Sequence, residues 1–154
     1  MKAFVLTMRH SGLRIGDTIA LKRDRVKGNK LFLYTQKTGT PVYVPLPPAA
    51  VAALDKLNGG QRAVLHQREG EAQTARANWS RYLDTVFELA KVKDAHSHRF
   101  RDTFAVSLLE NGVSIENVSV LLGHSSVRIT EGHYKPWVKT LQKKLEDEVR
   151  KAWS

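Results

Sequence analysis

Residues 96–112 read HSHRFRDTFAVSLLENG, and this stretch decides the fold class. At about 100° per residue, Phe104, Ala105, Leu108 and Leu109 fall on one apolar stripe, which predicts an amphipathic helix against a core. Asn111-Gly112 stops it, so the helix runs over 98–111. Arg101 falls inside the stripe, and His98 lies beside it at i−3. A cation in that position is costly unless an anion meets it. Two readings follow: Arg101 snorkels or pairs with an acid such as Asp17 or Asp102, or it is held ready for an anionic ligand.

Working outward, Gly123 stops a helix over 115–122, and a short helix is expected around 126–133. Pro136 then starts a final amphipathic helix with Val138, Leu141, Leu145 and Val149 at i, i+3, i+7 and i+11. Upstream, residues 73–91 form a helix with Trp79, Leu83, Val86, Phe87 and Ala90 on one side. Before it, a loop is expected over 62–70. Pro47 and Pro48 open a helix carrying Val51, Leu54 and Leu57, with Asn58-Gly59-Gly60 as its stop. Leu31-Phe32-Leu33-Tyr34 and Val42-Tyr43-Val44 read as a strand and its return around Thr38-Gly39-Thr40. Residues 2–10 and 15–21 read as two short helices broken by Ser11-Gly12. The expected architecture is mainly α, with one small antiparallel β-sheet near the N-terminus.

Composition bounds the function. The 154 residues fit one domain with a real core, and 42% apolar residues exclude a disordered chain. With no cysteine, disulfides and thiolate metal sites are excluded. No apolar run is long enough to span a bilayer and no signal peptide is visible, so a cytoplasmic protein without membrane contact is expected. A net charge of +10 suits a polyanionic partner, DNA or RNA first. Residues 1–21 already read as interior helix, which suggests a piece of a larger protein.

Several residues carry candidate chemistry, each with an ordinary reading beside it. Arg14 in SGLRIGD has Asp17 at i+3; this is a local ion pair, or Asp17 steadies a guanidinium whose planar fork grips phosphate. Lys37 in YTQKTGTPVYVPLP is a solvated hairpin tip, or an ammonium delivered by a mobile strand pair. His124 in LLGHSS caps a helix end, or donates to an anion. Tyr134 in ITEGHY is a core aromatic with a bonded hydroxyl, or a nucleophile. A metal site at His124 and His133 lacks a third ligand at suitable spacing. Neither metal nor cofactor is called for.

Taken together, Arg14, Lys37, His98 and Arg101 in HRFRDTFA, His124 and Tyr134 resemble the tyrosine recombinase (phage integrase) family. Six positions match in family order with matching flanking text, from near Phe4 to near Thr140. One departure is Asp102-Thr103, where a histidine commonly precedes that threonine. Another is that nothing here resembles the family's N-terminal DNA-binding domain, so residues 1–154 read as the catalytic domain alone.

The resemblance implies that Tyr134 attacks a DNA phosphate and forms a covalent 3′ link. His98 would be general base, Arg14, Arg101 and His124 would stabilise the phosphate, and Lys37 would protonate the leaving 5′ oxygen. Asp17 would support. Double-stranded DNA is the implied partner, with a homo-oligomer assembled on it and a monomer in isolation. The final helix either packs on its own domain or, as the resemblance implies, docks on a neighbouring protomer. The alternative function is a DNA-binding module of the same fold that does not cut.

Overall fold

A computed structural model describes residues 1–57 and 72–153. The expected Asn58-Gly59-Gly60 stop and the loop over 62–70 lie outside the described residues. The helices are α1 (Lys2–Ser11), α2 (Ile15–Ile19), α3 (Pro48–Asp55), α4 (Ala72–Leu89), α5 (His98–Glu110), α6 (Ile115–Leu122) and α7 (Val127–Ala152). A 3₁₀ turn at Arg23–Arg25 leads into β1 (Val26–Lys27), which sequence reading missed because two residues carry no alternation. β2 (Lys30–Tyr34) and β3 (Pro41–Pro45) complete an antiparallel sheet of order β1-β2-β3.

The strand register explains the sheet's two faces. Leu31 pairs with Val44 and Leu33 with Val42, and all four are buried. Phe32, Tyr34 and Tyr43 take the opposite face, as the two-residue period requires. α5 is the central helix: it packs on α1, α6 and α7, burying Phe104, Ala105 and Leu109. α1 also packs on α3, and Phe4 stacks on Trp79 of α4 with ring centroids 4.0 Å apart. In α4, Leu83 is buried and Val86 and Phe87 are half-buried, but Ala90 falls just past the helix end and is exposed.

Two glycines end helices beside the future site. Gly12 caps α1 at φ +64° and Gly123 caps α6 at φ +63°, both in the left-handed region that L side chains rarely adopt. The chain also approaches closely at both. A β-carbon on Gly12 would lie 2.5 Å from a Phe104 ring carbon, and one on Gly123 would lie 2.7 Å from a Val42 methyl.

The C-terminal region corrects the expectation of two helices. The Ser126 hydroxyl accepts from the Arg128 amide and starts a single helix, α7, that runs through Pro136. Pro136 cannot donate to the Gly132 carbonyl, yet the helix continues. Buried Thr130 and Tyr134, one turn apart, seat its first turns against α5 and α6. Packing therefore overrides the local penalty that made Pro136 look like a start.

Candidate active site

Arg101 shows why a cation can stand in an apolar stripe. It is 2% exposed, and its two terminal nitrogens donate to the carbonyls of Gly12 and Leu122, each at 2.6 Å. Those carbonyls end α1 and α6, where the helix dipoles present negative charge. The acid partners considered from sequence, Asp17 and Asp102, form no ion pair with Arg101 among the described residues. Burial, then the neighbouring Arg14, pulls its pKa down to about 10, so it stays cationic at neutral pH.

Arg14 sits at the N-cap of α2, beside Gly12 and Leu13. One of its guanidinium nitrogens, Nη1, is buried without a hydrogen-bond partner. The expected pairing with Asp17 is corrected: buried Asp17 instead accepts the Gln36 amide at 2.8 Å. Asp17 thus ties α2 to the turn that carries Lys37. The i+3 spacing that suggested a pair with Arg14 does not apply, because Arg14 precedes the helix with extended backbone (ψ 153°).

That turn is better held than a bare polar tip suggests. The Thr35 amide donates to the Thr40 carbonyl and the Gly39 amide to the Thr35 carbonyl. The hydroxyl of buried Thr35 lies 2.7 Å from that of exposed Thr38, and Thr40 donates to Thr38 at 2.9 Å. Thr38 reaches the Gly123 carbonyl at 3.5 Å. Lys37 itself is exposed between them.

His124 follows the Gly123 cap directly. Its Nδ1 lies 2.7 Å from the hydroxyl of Thr130, a fully buried residue in the first turns of α7. Burial first, then Arg101 and Arg14, lowers its pKa to about 4, so the ring is neutral at physiological pH. His98, at the start of α5, is also held below its ordinary value by partial burial, with Asp102 opposing and Arg101 adding. Its Nε2 lies 3.7 Å from an Asp102 oxygen, one helical turn on. Tyr134 is buried, and its hydroxyl donates to Asp102 at 3.0 Å. Burial and the adjacent carboxylate push its pKa above the usual phenol range.

Arg14, Lys37, His98, Arg101, His124 and Tyr134 all line one cleft of about 270 Å³, together with Thr38 and His133. Three elements far apart in sequence thus converge: the α1–α2 junction, the β2–β3 turn and the α5–α7 segment. Sequence reasoning missed the His124–Thr130 contact and the Asp102–Tyr134 bond. Neither has a local signal, because both depend on how α7 lies against its neighbours. Among the described residues no group of three His, Asp or Glu side chains is arranged to hold a metal ion.

The Phage integrase family model matches residues 1–137. The chain belongs to the phage integrase family. Tyrosine recombinase XerC of Pelobacter propionicus is 32% identical over 137 residues, covering 84% of this chain and 45% of that protein. Tyrosine recombinase XerD of Lacticaseibacillus casei is 28% identical over 141 residues, covering 84% and 48%. The chain thus spans about half the length of the curated relatives it matches. Among solved structures, XerA recombinase matches with a TM-score of 0.70 at 23% identity, covering 84% of this chain and 50% of that one. XerH, solved with a palindromic difH substrate as a post-cleavage complex, matches at 0.73 with 15% identity, covering 93% and 44%. The fold is that of tyrosine recombinase catalytic domains, and the family's tyrosine recombinases are enzymes that cleave and rejoin DNA. No described helix is long and apolar enough to cross a membrane.

Proposed function

We propose that this chain is the catalytic domain of a site-specific DNA recombinase, cutting and rejoining DNA through a 3′-phosphotyrosine on Tyr134. The observation that carries the reading is the shared cleft, in which the Tyr134 phenol and two arginines flank one space and Arg14 offers a buried, unpartnered N–H. A phosphodiester entering there meets Arg14 and Arg101 at its non-bridging oxygens, where charge builds in the pentacoordinate transition state. If the Thr130 hydroxyl donates to Nδ1 of His124, the ring proton is on Nε2, free to donate to the same phosphate. The neutral state of His98 suits the base function at the tyrosine end. Lys37 protonates the departing 5′ oxygen. The covalent link conserves the energy of the broken bond, so a second 5′ hydroxyl can reverse the step without ATP.

Double-stranded DNA is the partner, favoured by the +10 charge. On it the protein assembles as an oligomer. Leu145, Val149 and Trp153 support this, lying exposed at i, i+4 and i+8 along the end of α7 as an apolar face. The test is a nicked duplex bearing the bound site, whose short 5′ fragment diffuses away after cleavage. Wild type should give a denaturant-stable adduct on the Tyr134 peptide, unaffected by EDTA, and Tyr134→Phe should give none. Site binding without any adduct would favour the non-cutting module.

A further inference from the structure

In HRFRDTFA the residue after the buried arginine is Asp102, four positions after His98 and therefore on the same side of α5. Its carboxylate is one-third exposed and faces two groups of the cleft at once. One Asp102 oxygen, Oδ1, accepts the Tyr134 hydroxyl at 3.0 Å and lies 3.7 Å from Nε2 of His98. In this geometry the phenol proton points at a carboxylate, and the imidazole stands behind that carboxylate. We propose that Asp102 is the first acceptor of the Tyr134 proton during strand cleavage, with His98 acting through it. This rests on the reading of Tyr134 as nucleophile.

The step balances. The bond from Tyr134 Oη to phosphorus forms as the bond from phosphorus to the 5′ oxygen breaks. The phenol proton passes to Asp102 Oδ1, leaving a neutral carboxylic acid. Lys37 gives a proton to the 5′ oxygen, leaving a neutral amine and a 5′ hydroxyl. Rejoining returns both protons. His98 can draw the proton onward from Oδ1, since its partial burial favours a neutral ring with a free lone pair. A protonated His98 would instead pair with Asp102 and compete for the oxygen.

A second role for Asp102 predicts the opposite behaviour, which makes the proposal testable. A carboxylate beside a phenol raises the phenol's pKa, and this one does. Were Asp102 only an electrostatic brake, removing its charge would acidify Tyr134 and speed cleavage. As proton acceptor, its removal slows cleavage even though the phenol becomes more acidic. The charged or titratable groups facing this pair are Arg101 on α5, His133 on α7 and Arg14 before α2, and all are kept in the test.

The experiment uses the full-length product of the reading frame and a nicked duplex carrying the sequence it enriches from a randomised pool. Single-turnover adduct formation is followed for wild type, Asp102→Asn, Asp102→Glu and His98→Gln between pH 6 and 9. Asp102→Asn keeps the shape and can still accept a hydrogen bond, but it cannot take a proton. Its rate should fall by roughly 10²-fold or more at pH 7. The loss should shrink about tenfold per pH unit as hydroxide replaces the missing base, while DNA affinity and melting temperature stay at wild-type values. Asp102→Glu should recover part of the rate, and His98→Gln should lose less than Asp102→Asn. A faster Asp102→Asn, a rate within threefold of wild type, or a slow rate with the wild-type pH profile would each overturn the acceptor role while leaving the nucleophile assignment intact. A wild type that binds the site and forms no adduct would overturn the functional reading and this inference together.

Discussion

Arg101 and Gly12 are 89 residues apart in sequence, yet the arginine donates to the glycine carbonyl at 2.6 Å and so joins α5 to the end of α1. The same guanidinium joins the end of α6 through Leu122. One side chain therefore serves both as a structural tie and as a wall of the cleft. Arg101→Ala should leave two carbonyls without a donor, at about 1–3 kcal/mol each when they stay buried. Arg101→Lys keeps charge but loses the fork, so it should cost less stability than alanine and still slow cleavage. Chemical denaturation beside single-turnover cleavage separates the two effects. An Arg101→Ala protein as stable as wild type would remove the structural half of the assignment.

The glycine side of this contact gives a second prediction. Gly12→Ala meets both an unfavourable φ of +64° and a 2.5 Å approach to the Phe104 ring. Phe104 is buried in the core, so relief requires moving the ring or the Gly12 carbonyl that Arg101 holds. A loss of about 2–4 kcal/mol is expected from left-handed strain together with overpacking. Thermal unfolding should show it, and cleavage should fall beyond what the lost stability explains. Unchanged melting would mean the backbone can reshape here without cost.

His124 gives a pH prediction. Its folded pKa of about 4 lies below the ordinary value of 6.5 for the unfolded chain. Above pH 6.5 both states hold a neutral ring, and the residue contributes no pH dependence. Between pH 6.5 and 4 the unfolded chain binds the proton more readily, so stability falls as pH falls; below about 4 this loss levels off. Replacing His124 with Gln should flatten the melting-temperature curve across that window relative to wild type. A curve of the same slope in both proteins would place the acid sensitivity elsewhere.

The end of α7 predicts an assembly effect. Leu145→Ser with Trp153→Ser removes exposed apolar surface, so the melting temperature of the monomer should hold within about 1 °C, as expected for surface changes. Complexes of more than one copy on DNA should weaken. Sedimentation on a duplex with two sites reads this directly. Unchanged assembly would show that this face docks on nothing of its own kind.

Much of this molecule was legible because its helices are strongly patterned. The α5 stripe marked a helix and its core face, the Gly12 and Gly123 stops marked helix ends, and the short runs at 31–34 and 42–44 marked the strands. The six cleft residues were legible as an ordered set, since each alone has an ordinary explanation. What could not be read were relationships set by packing. Arg101 found carbonyls rather than an acid because two helices end beside it, and Asp17 met the Gln36 amide because the β2–β3 turn folds over α2. Pro136 looked like a start because local propensity cannot see that Thr130 and Tyr134 are already seated on α5 and α6. The side chains of Val138 and Leu141, expected to begin the final stripe, lie outside the described set, whereas exposed Leu145 and Val149 continue it.

Lys37 offers a test that separates chemistry from folding. It is exposed on a turn held by Thr35, Thr38 and the Asp17–Gln36 bond, so Lys37→Ala should leave stability unchanged. Loss of the proton donor should slow cleavage of an ordinary phosphodiester by roughly 10²–10⁴-fold, the usual range for a general acid. Replacing the bridging 5′ oxygen with sulfur makes the leaving group a thiolate, which departs without a proton. On that substrate the variant should approach the wild-type rate. DNA affinity should change only slightly, because one phosphate contact is a small part of a binding energy spread over many cations. Lys37→Arg keeps the charge but holds its proton too tightly to give it up, so it should behave like alanine on oxygen and like wild type on sulfur. Equal losses on both substrates would mean that Lys37 positions the DNA rather than protonating it, and the acid would then have to be sought among the other groups lining the cleft, His133 first.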